Sequence, residues 1–248
     1  MNASTAPSID PSEIEQFSAL AAEWWDPRGP FKPLHEFNPV RIGFIRDEVC
    51  ARLGRVATDP KPLAGLDIAD IGCGGGLLCE PIARLGAQIT GVDPSDKNIS
   101  VASLHARQMG LEVNYVQTSV EDLAETGQTF DVVLAMEVLE HVADISVFMQ
   151  ACTKILKPGG IFVGATLNRT LKSLALAKIG VEYILRWLPV GTHDWKKFLT
   201  PAETTRALRD AGLDLQTIQG VTYNPLKGEW RISADTDINY MVVAVRQG

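Results

Sequence analysis

The sequence predicts an α/β fold in which a doubly wound, largely parallel sheet is covered by helices on both faces. Short apolar runs alternate with amphipathic segments from residue 67 onward. Glycines gather directly behind the first of these runs, in the stretch DIGCGGG at residues 70–76. The 248 residues are 46% hydrophobic and 21% charged, which is typical of an ordinary globular domain.

The apolar runs set the order of the elements. The stretches LDIADIG and AQITGVD predict buried strands, and LLCEPIARLG between them predicts a helix. A further helix, NISVASLHARQMG, ends at Gly110 ahead of the strand VNYVQTS. Next come the strand FDVVLAMEV, a helix stopped by Pro158 and the strand GIFVGATL. The last two strands are predicted at LDLQTIQGVTY and INYMVVAVRQ. This βαβ rhythm indicates a parallel sheet.

The N-terminal part has a different pattern. Residues 1–12 are small and polar, and we expect them to be disordered. Apolar residues at helical spacing follow, with Ser12 as the predicted N-cap, and a second helix is predicted over residues 40–53. Residues 13–60 therefore predict a helical cap and lid segment, and residues 61–248 the main domain.

Charge and cysteine content narrow the range of functions. The net charge is −7 and there is no long basic run, so we expect no nucleic-acid partner. The 4 cysteines lack the spacing of a metal site and no secretory signal opens the chain, so we expect a reducing, cytoplasmic setting. No apolar run approaches the roughly 20 residues that span a bilayer.

The glycine run predicts a ligand close to the backbone, since glycines between a strand and a helix leave room at the carboxyl edge of a sheet. The dinucleotide fingerprint requires glycine at its first, third and sixth positions. Gly72 and Gly74 satisfy the first two, but the sixth is Leu77, which disfavours a nicotinamide cofactor. Asp93 ends the second strand, where a carboxylate can bind ribose hydroxyls. Asp70 can attract an ammonium or sulfonium group or order the loop. The alternative is a turn that serves packing alone.

Together these motifs resemble a known family. DIADIGCGGG, GVDPS, FDVVLAMEVLEHV and LKPGG are similar to the class I S-adenosylmethionine-dependent methyltransferases. The resemblance implies a seven-stranded, mostly parallel sheet with a final antiparallel strand, and S-adenosylmethionine as the cofactor. It also implies that the glycine loop, with Gly72 and Gly74, and the residue Met136 lie against the cofactor, and that Asp93 holds its ribose.

A narrower resemblance covers nearly the whole chain from about residue 13. EWWDPRGPFKPLHEFNPVRIGFI, TLNRT, EYILRWLPVGTHDWKKF and INYM resemble the ubiquinone-biosynthesis O-methyltransferases. This implies methylation of ring hydroxyls on polyprenylated catechols and hydroquinols, namely 2-polyprenyl-6-hydroxyphenol and 3-demethylubiquinol. It further implies that Arg41 contacts the cofactor, that the N-terminal segment folds over the site, and that other enzymes of the ubiquinone pathway are partners.

The stretch EVLEH contains the side chains that methyl transfer to a phenol requires. A phenol has a pKa of about 10 and is a weak nucleophile until it is deprotonated or bound to a metal. Glu137, Glu140 and His141 have the i, i+3 and i+4 spacing of one helix face, where they would bind Mg²⁺ or another divalent metal. Alternatively His141 acts alone as a general base, or all three side chains are structural.

Residues 170–200 predict an amphipathic insertion. Leu174, Ile184 and Leu188 share one helix face, while Lys178 and Arg186 lie on another. Core packing, a lid over the pocket and an interfacial membrane helix all agree with this pattern. Because the substrates of the resembling family are dissolved in the bilayer, we expect peripheral contact with the inner face of the membrane.

Two other functions remain open from the sequence. One is a methyltransferase of the same fold that acts on another small phenol or on carbon, which the family-specific segments FKPLH and GTHDW disfavour. The other is a non-catalytic scaffold that binds the cofactor within a lipid-pathway complex. The intact Glu137, Glu140 and His141 disfavour the scaffold, because it would not need them.

Overall fold

A computed structural model describes residues 8–175, 195–224 and 229–248. The strands are β1 (Asp67–Ile71), β2 (Gln88–Asp93), β3 (Asn114–Gln117), β4 (Phe130–Met136), β5 (Leu156–Leu167), β6 (Leu213–Asn224), β7 (Glu229–Ser233) and β8 (Asn239–Arg246). The helices are α1 (Pro11–Ala19), α2 (Lys32–Arg52), α3 (Cys79–Arg84), α4 (Asp96–Gln108), α5 (Val120–Glu125), α6 (Ile145–Lys154), α7 (Leu171–Ser173) and α8 (Pro201–Asp210).

The strands form one sheet in the order β3-β2-β1-β4-β5-β8-β6-β7. Strands β1 to β5 are parallel to one another. Strand β8 is antiparallel to both of its neighbours, β5 and β6, and β7 is antiparallel to β6. Six of the eight strands therefore run in the same direction. The predicted doubly wound, mostly parallel sheet is confirmed.

The sheet has one strand more than the seven expected. Strand β7 pairs with the end of β6, from Gly220 opposite Ser233 to Asn224 opposite Glu229. Its sequence, EWRIS, is short and carries two charged side chains, because it is an edge strand with one face toward solvent. A strand of this kind lacks the continuous apolar run that identified the others.

The core lies on both faces of the sheet. Along β4, Val132 and Leu134 belong to one buried cluster, which α2 and α3 cover, while Val133 and Ala135 belong to a second, which α5, α6 and α8 cover. Side chains alternate between the two faces of a strand, so a strand that is apolar at every position is buried on both. Helices α5 and α8 were not predicted, although Thr200 and Glu203 form a capping box at the start of α8.

The N-terminal part is more ordered than the sequence indicated. Helix α1 has Asp10, not Ser12, as its N-cap, and the Asp10 carboxylate accepts a hydrogen bond from the Ser12 N–H at 3.0 Å. Residues 8–12 were expected to be disordered, yet the Ser8 N–H donates to the Glu121 carboxylate at 3.1 Å. Helix α2 begins well before residue 40 and continues through Pro39, where a helix boundary had been predicted.

Two predictions fall wholly or partly on residues 1–7 and 176–194, which lie outside the described residues. These are the disorder of the first residues and most of the amphipathic insertion. The division into a cap at 13–60 and a main domain at 61–248 stays a prediction. None of the described helices combines the length and the apolar character needed to cross a membrane.

Candidate functional site

A cavity of about 860 Å³ opens where β1, β2 and β4 end. This is the carboxyl edge of the parallel sheet, where such folds bind their ligands. Every residue that the sequence predicted for the site lines this cavity: Arg41, Asp70, Gly72, Gly74, Asp93, Met136, Glu137, Glu140 and His141. The structure thus brings together side chains that are far apart in the chain.

The glycines in the cavity wall are required by the packing of the protein itself. Gly72 and Gly74 have φ angles of 72° and 52°, which side chains rarely adopt. A Cβ at Gly74 would lie 2.4 Å from the Trp24 ring, and one at Gly72 would lie 2.6 Å from Val138. The packing alternative therefore explains why these positions have no side chain. Contact of Gly72 and Gly74 with the cofactor stays a prediction.

The Asp93 carboxylate orders the glycine loop and the start of α4. Its oxygens accept hydrogen bonds from the N–H groups of Gly74 at 3.0 Å and Ser95 at 2.9 Å, and from the Asn98 amide at 3.2 Å. Asn98 in turn accepts a hydrogen bond from the Trp24 indole at 2.9 Å. Burial raises the pKa of Asp93, and these hydrogen bonds oppose that effect. A carboxylate has about four acceptor positions, which leaves capacity for a ligand hydroxyl.

Arg41 places a buried positive charge in the same wall. Its side chain is 4% exposed, it donates to the side-chain oxygen Oδ1 of Asn38 at 2.9 Å, and its guanidinium carbon lies 5.4 Å from the centre of the Phe37 ring. Among the described residues its Nε has no hydrogen-bond partner. Burial lowers the pKa of Arg41, against the opposing charges of Glu137 and Asp70. A buried guanidinium with an unused N–H suits a carboxylate ligand.

Asp70 lies beneath the glycine loop. Burial raises its pKa to about 7, and the opposing effects are the hydrogen bond from the Cys79 thiol, at 3.2 Å, and the charge of Arg41. Asp70 therefore exists in both protonation states near neutral pH. A cationic ligand group beside it would favour the ionised form.

The stretch EVLEH is a turn, so the prediction that it lies on one helix face is wrong. Residues 137–144 connect β4 to α6 without a helix. Glu137 has a φ of 61°, and it is the only non-glycine residue with a positive φ in the part of the chain that the structure describes. Its N–H still pairs with the Ala165 carbonyl of β5, at 3.0 Å. The chain thus turns sharply at the end of a buried strand, which prevents a helix from starting there.

Two of the three side chains predicted to bind a metal contact neighbouring residues. Glu140 accepts a hydrogen bond from the Thr166 hydroxyl at 2.7 Å, and His141 Nδ1 lies 3.1 Å from Glu13. Within residues 8–175, 195–224 and 229–248, no group of three or more His, Cys, Asp and Glu side chains is arranged to hold a metal ion. Metal binding by Glu137, Glu140 and His141 stays a prediction.

Glu137 lies in the cavity wall beside Glu140. Burial, and then the charge of Glu140, raise its pKa, whereas Arg41 and His141 lower it. Its Oε1 atom is buried without a hydrogen-bond partner among the residues described. In its protonated form, Glu137 can donate a hydrogen bond to a ligand oxygen.

His141 is held by a residue that sequence reasoning missed. Besides the contact of its Nδ1 with Glu13, its ring packs almost perpendicular to the Phe17 ring, with the ring centres 5.1 Å apart. Burial alone would lower the pKa of His141, but the hydrogen bond to Glu13 and the charge of Glu140 outweigh burial, so that the pKa is raised. Nothing in the local sequence marks Glu13, because α1 reaches His141 only through the tertiary fold.

The comparisons with known proteins show the family of the chain. A family model described as a methyltransferase domain matches residues 69–164. A ubiquinone biosynthesis O-methyltransferase of Mesorhizobium japonicum is 57% identical over 237 residues, which cover 96% of this chain and 95% of that protein. One of Rhizobium etli (strain CIAT 652) is 54% identical over 239 residues, 96% of each. The chain belongs to the ubiquinone biosynthesis O-methyltransferase family.

Comparison with solved structures shows which fold this member of the family has. The magnesium protoporphyrin IX methyltransferase of Synechocystis PCC 6803 with bound SAM has a TM-score of 0.62 at 17% identity, and the match covers 100% of both chains. The plantazolicin methyltransferase BpumL in complex with SAH also has a TM-score of 0.62, at 16% identity, over 95% of this chain and 97% of that one. The class I methyltransferase fold is confirmed.

Proposed function

We propose that the protein transfers a methyl group from S-adenosylmethionine to a ring hydroxyl of a polyprenylated catechol or hydroquinol in ubiquinone biosynthesis. The observation that carries the proposal is the single cavity in which a buried Arg41, with an unused N–H, faces the same space as Asp93 and His141. Membership of the family supports the substrate class.

The residues in the cavity wall fit this cofactor. When bound, it supplies a methyl group on a positively charged sulfur, which an oxygen nucleophile can displace in line. Arg41 would bind its carboxylate and Asp93 its ribose hydroxyls. Asp70 would attract its ammonium group. The predicted positions Gly72, Gly74 and Met136 would border the space beside it.

His141 is the proposed general base. The acceptor hydroxyl oxygen forms a bond to the methyl carbon, the bond from that carbon to sulfur breaks, and the hydroxyl proton passes to the His141 ring. Nδ1 of His141 contacts Glu13, which orients the ring for this transfer. The Glu13 carboxylate stabilises the imidazolium that results. Glu137, when protonated, can orient the acceptor through a hydrogen bond.

The proposed substrate also suggests where the protein works. A polyprenyl chain partitions into the bilayer, so a peripheral position on the inner face of the membrane would give access to it. Contact with other enzymes of the ubiquinone pathway would pass the apolar intermediate on without release. The net charge of −7 supports the expectation of no nucleic-acid partner.

The test is transfer of labelled methyl groups from S-adenosylmethionine to a farnesylated catechol in detergent, with Mg²⁺ present throughout. We expect methylated product, and a fall in kcat of roughly 10²- to 10⁴-fold for His141→Asn, with cofactor affinity retained. His105→Asn, outside the cavity, is the control. Binding of the cofactor without transfer to this acceptor would contradict the proposal and favour the scaffold.

A further inference from the structure

A row of aromatic side chains continues the cavity wall away from Arg41. The Phe37 ring, which lies beneath the Arg41 guanidinium, is 5.2 Å from the Trp230 ring between centres. The Trp230 ring is in turn 5.2 Å from the ring of Tyr223. All three aromatic residues line the same cavity as Arg41 and His141. The aromatic row Phe37–Trp230–Tyr223 therefore begins beside Arg41, the residue proposed to bind the cofactor carboxylate.

The aromatic row leads from the buried part of the cavity wall to solvent. Tyr223 and Trp230 are opposite each other on β6 and β7, and the next pair on the same face is Val221 and Ile232. Val221 is 2% exposed and lines the cavity, whereas Tyr223 is 47% exposed and Ile232 is 38% exposed. One apolar strip thus connects the cavity to the edge of the sheet. Phe37 of α2 covers its inner end.

We propose that the aromatic row Phe37–Trp230–Tyr223 binds the first isoprene units of the acceptor and directs its polyprenyl chain out of the cavity between α2 and strand β7. This inference rests on the proposed function, which gives the acceptor such a chain. The polyprenyl chain is attached to the ring that receives the methyl group, so it must leave the cavity along one of its sides. The wall formed by the aromatic row is apolar and reaches the surface.

The position of this strip agrees with the sheet topology. Strand β7 is the addition to the seven strands that the general methyltransferase fold implied, and it provides Trp230. Without β7, the apolar face of β6 at Val221 and Tyr223 would lie at the edge of the sheet with no neighbouring strand. The extra strand therefore widens the apolar wall beyond what cofactor binding requires.

The test compares two acceptors that share the catechol ring, one with a farnesyl chain and one with a methyl group in its place. The variant is Trp230→Ala, and the matched control is Arg231→Ala, an exposed residue on the other face of the same strand. The first measurement is kcat/KM for both acceptors. The second is their Kd by titration calorimetry with S-adenosylhomocysteine bound.

We expect Trp230→Ala to lower kcat/KM for the farnesylated acceptor about tenfold and to leave the methyl-substituted acceptor unchanged, since losing even one methylene contact in an apolar pocket costs roughly tenfold or more. Arg231→Ala should change neither. Tyr223→Ala, at the exposed end of the row, should act in the same direction without disturbing the core. Equal losses for both acceptors, or no loss for either, would overturn the inference.

The Kd values separate this inference from the proposed function. If the wild-type protein methylates neither acceptor, the proposed function fails. Binding of the polyprenyl chain by the aromatic row is still supported when the wild-type protein has a lower Kd for the farnesylated acceptor than for the methyl-substituted one, and Trp230→Ala removes that difference. It is refuted when the wild-type protein binds both acceptors equally.

Discussion

Glu13 Oε2 lies 3.1 Å from His141 Nδ1, so the first helix reaches the turn that follows β4. The other oxygen of Glu13 accepts a hydrogen bond from Lys197 Nζ at 2.9 Å, and Lys197 also bonds Asp10 at 2.9 Å. Burial raises the pKa of Glu13, but the hydrogen bonds from His141 and Lys197 outweigh it and lower the pKa. Glu13 is therefore an ionised carboxylate that fixes the orientation of the proposed base.

The first prediction concerns Glu13→Gln. His141 must be neutral to accept a proton, and its pKa lies above the ordinary value of about 6.5. Burial lowers that pKa, while Glu13, Glu140 and Glu137 raise it, so removing the Glu13 charge lowers it. The limb of kcat/KM that rises with pH should therefore shift to lower pH in Glu13→Gln. A pH profile of kcat/KM measures the shift.

The control is Glu15→Gln, on the exposed side of the same helix. Its pH profile should match that of the wild-type protein. If the rising limb of the kcat/KM profile stays in place in Glu13→Gln, or moves to higher pH, Glu13 does not raise the pKa of His141.

The second prediction concerns Arg41→Met. Among the described residues the buried guanidinium makes no ion pair within 4.0 Å, so its removal should change the free energy of unfolding of the ligand-free protein little. If Arg41 binds the cofactor carboxylate, the lost charged hydrogen bonds should weaken S-adenosylmethionine binding by roughly 10- to 100-fold. Titration calorimetry and urea unfolding measure the two quantities.

Arg46→Met provides the matched control, since Arg46 lies on the same helix with its charge paired to Asp47 at the surface. Its affinity for S-adenosylmethionine should remain that of the wild-type protein. Equal affinities for Arg41→Met and Arg46→Met would remove Arg41 from the cofactor site.

The sequence predicted the centre of the fold well because its signals are local. Strand β1 is an apolar run followed by glycines, and β4 is apolar at every buried position, so periodicity alone identifies them. Asp93 ends β2, and parallel strands that end at one edge bring such residues together. The cavity could therefore be assembled from the chain order.

Features that depend on tertiary contacts could not be predicted from local sequence patterns. The EVLEH spacing matches a helix, but the backbone turns at Glu137 because β4 ends against β5 there. Strand β7 alternates apolar and polar residues over five positions only, without the continuous apolar run that identified the other strands. Likewise, the packing of Trp24 on the glycine loop joins segments that are distant in the chain. Local propensity has no information about such contacts.

The third prediction concerns Tyr240→Phe in β8. The Tyr240 hydroxyl is buried, donates to the Leu199 carbonyl at 2.9 Å and lies 2.6 Å from the Thr204 hydroxyl. Its removal leaves these buried groups with fewer partners, so we expect a loss of about 1–3 kcal/mol in the free energy of unfolding. Urea unfolding measures it. Tyr223→Phe, with an exposed ring, should stay within about 0.5 kcal/mol of the wild-type protein, and an equal loss in both would contradict the prediction.

The last prediction tests why the glycine loop has no side chains. In Gly74→Ala a methyl group would meet the Trp24 ring at 2.4 Å, in a backbone with a φ of 52°. A Trp24→Ala background removes this clash and leaves the backbone strain, about 1–2 kcal/mol. Gly74→Ala should therefore cost more in the wild-type protein than in Trp24→Ala, by about 1–3 kcal/mol in a double-mutant cycle from urea unfolding. An equal cost in both backgrounds would mean that Trp24 yields freely, and that a ligand, not the cap, requires glycine at this position.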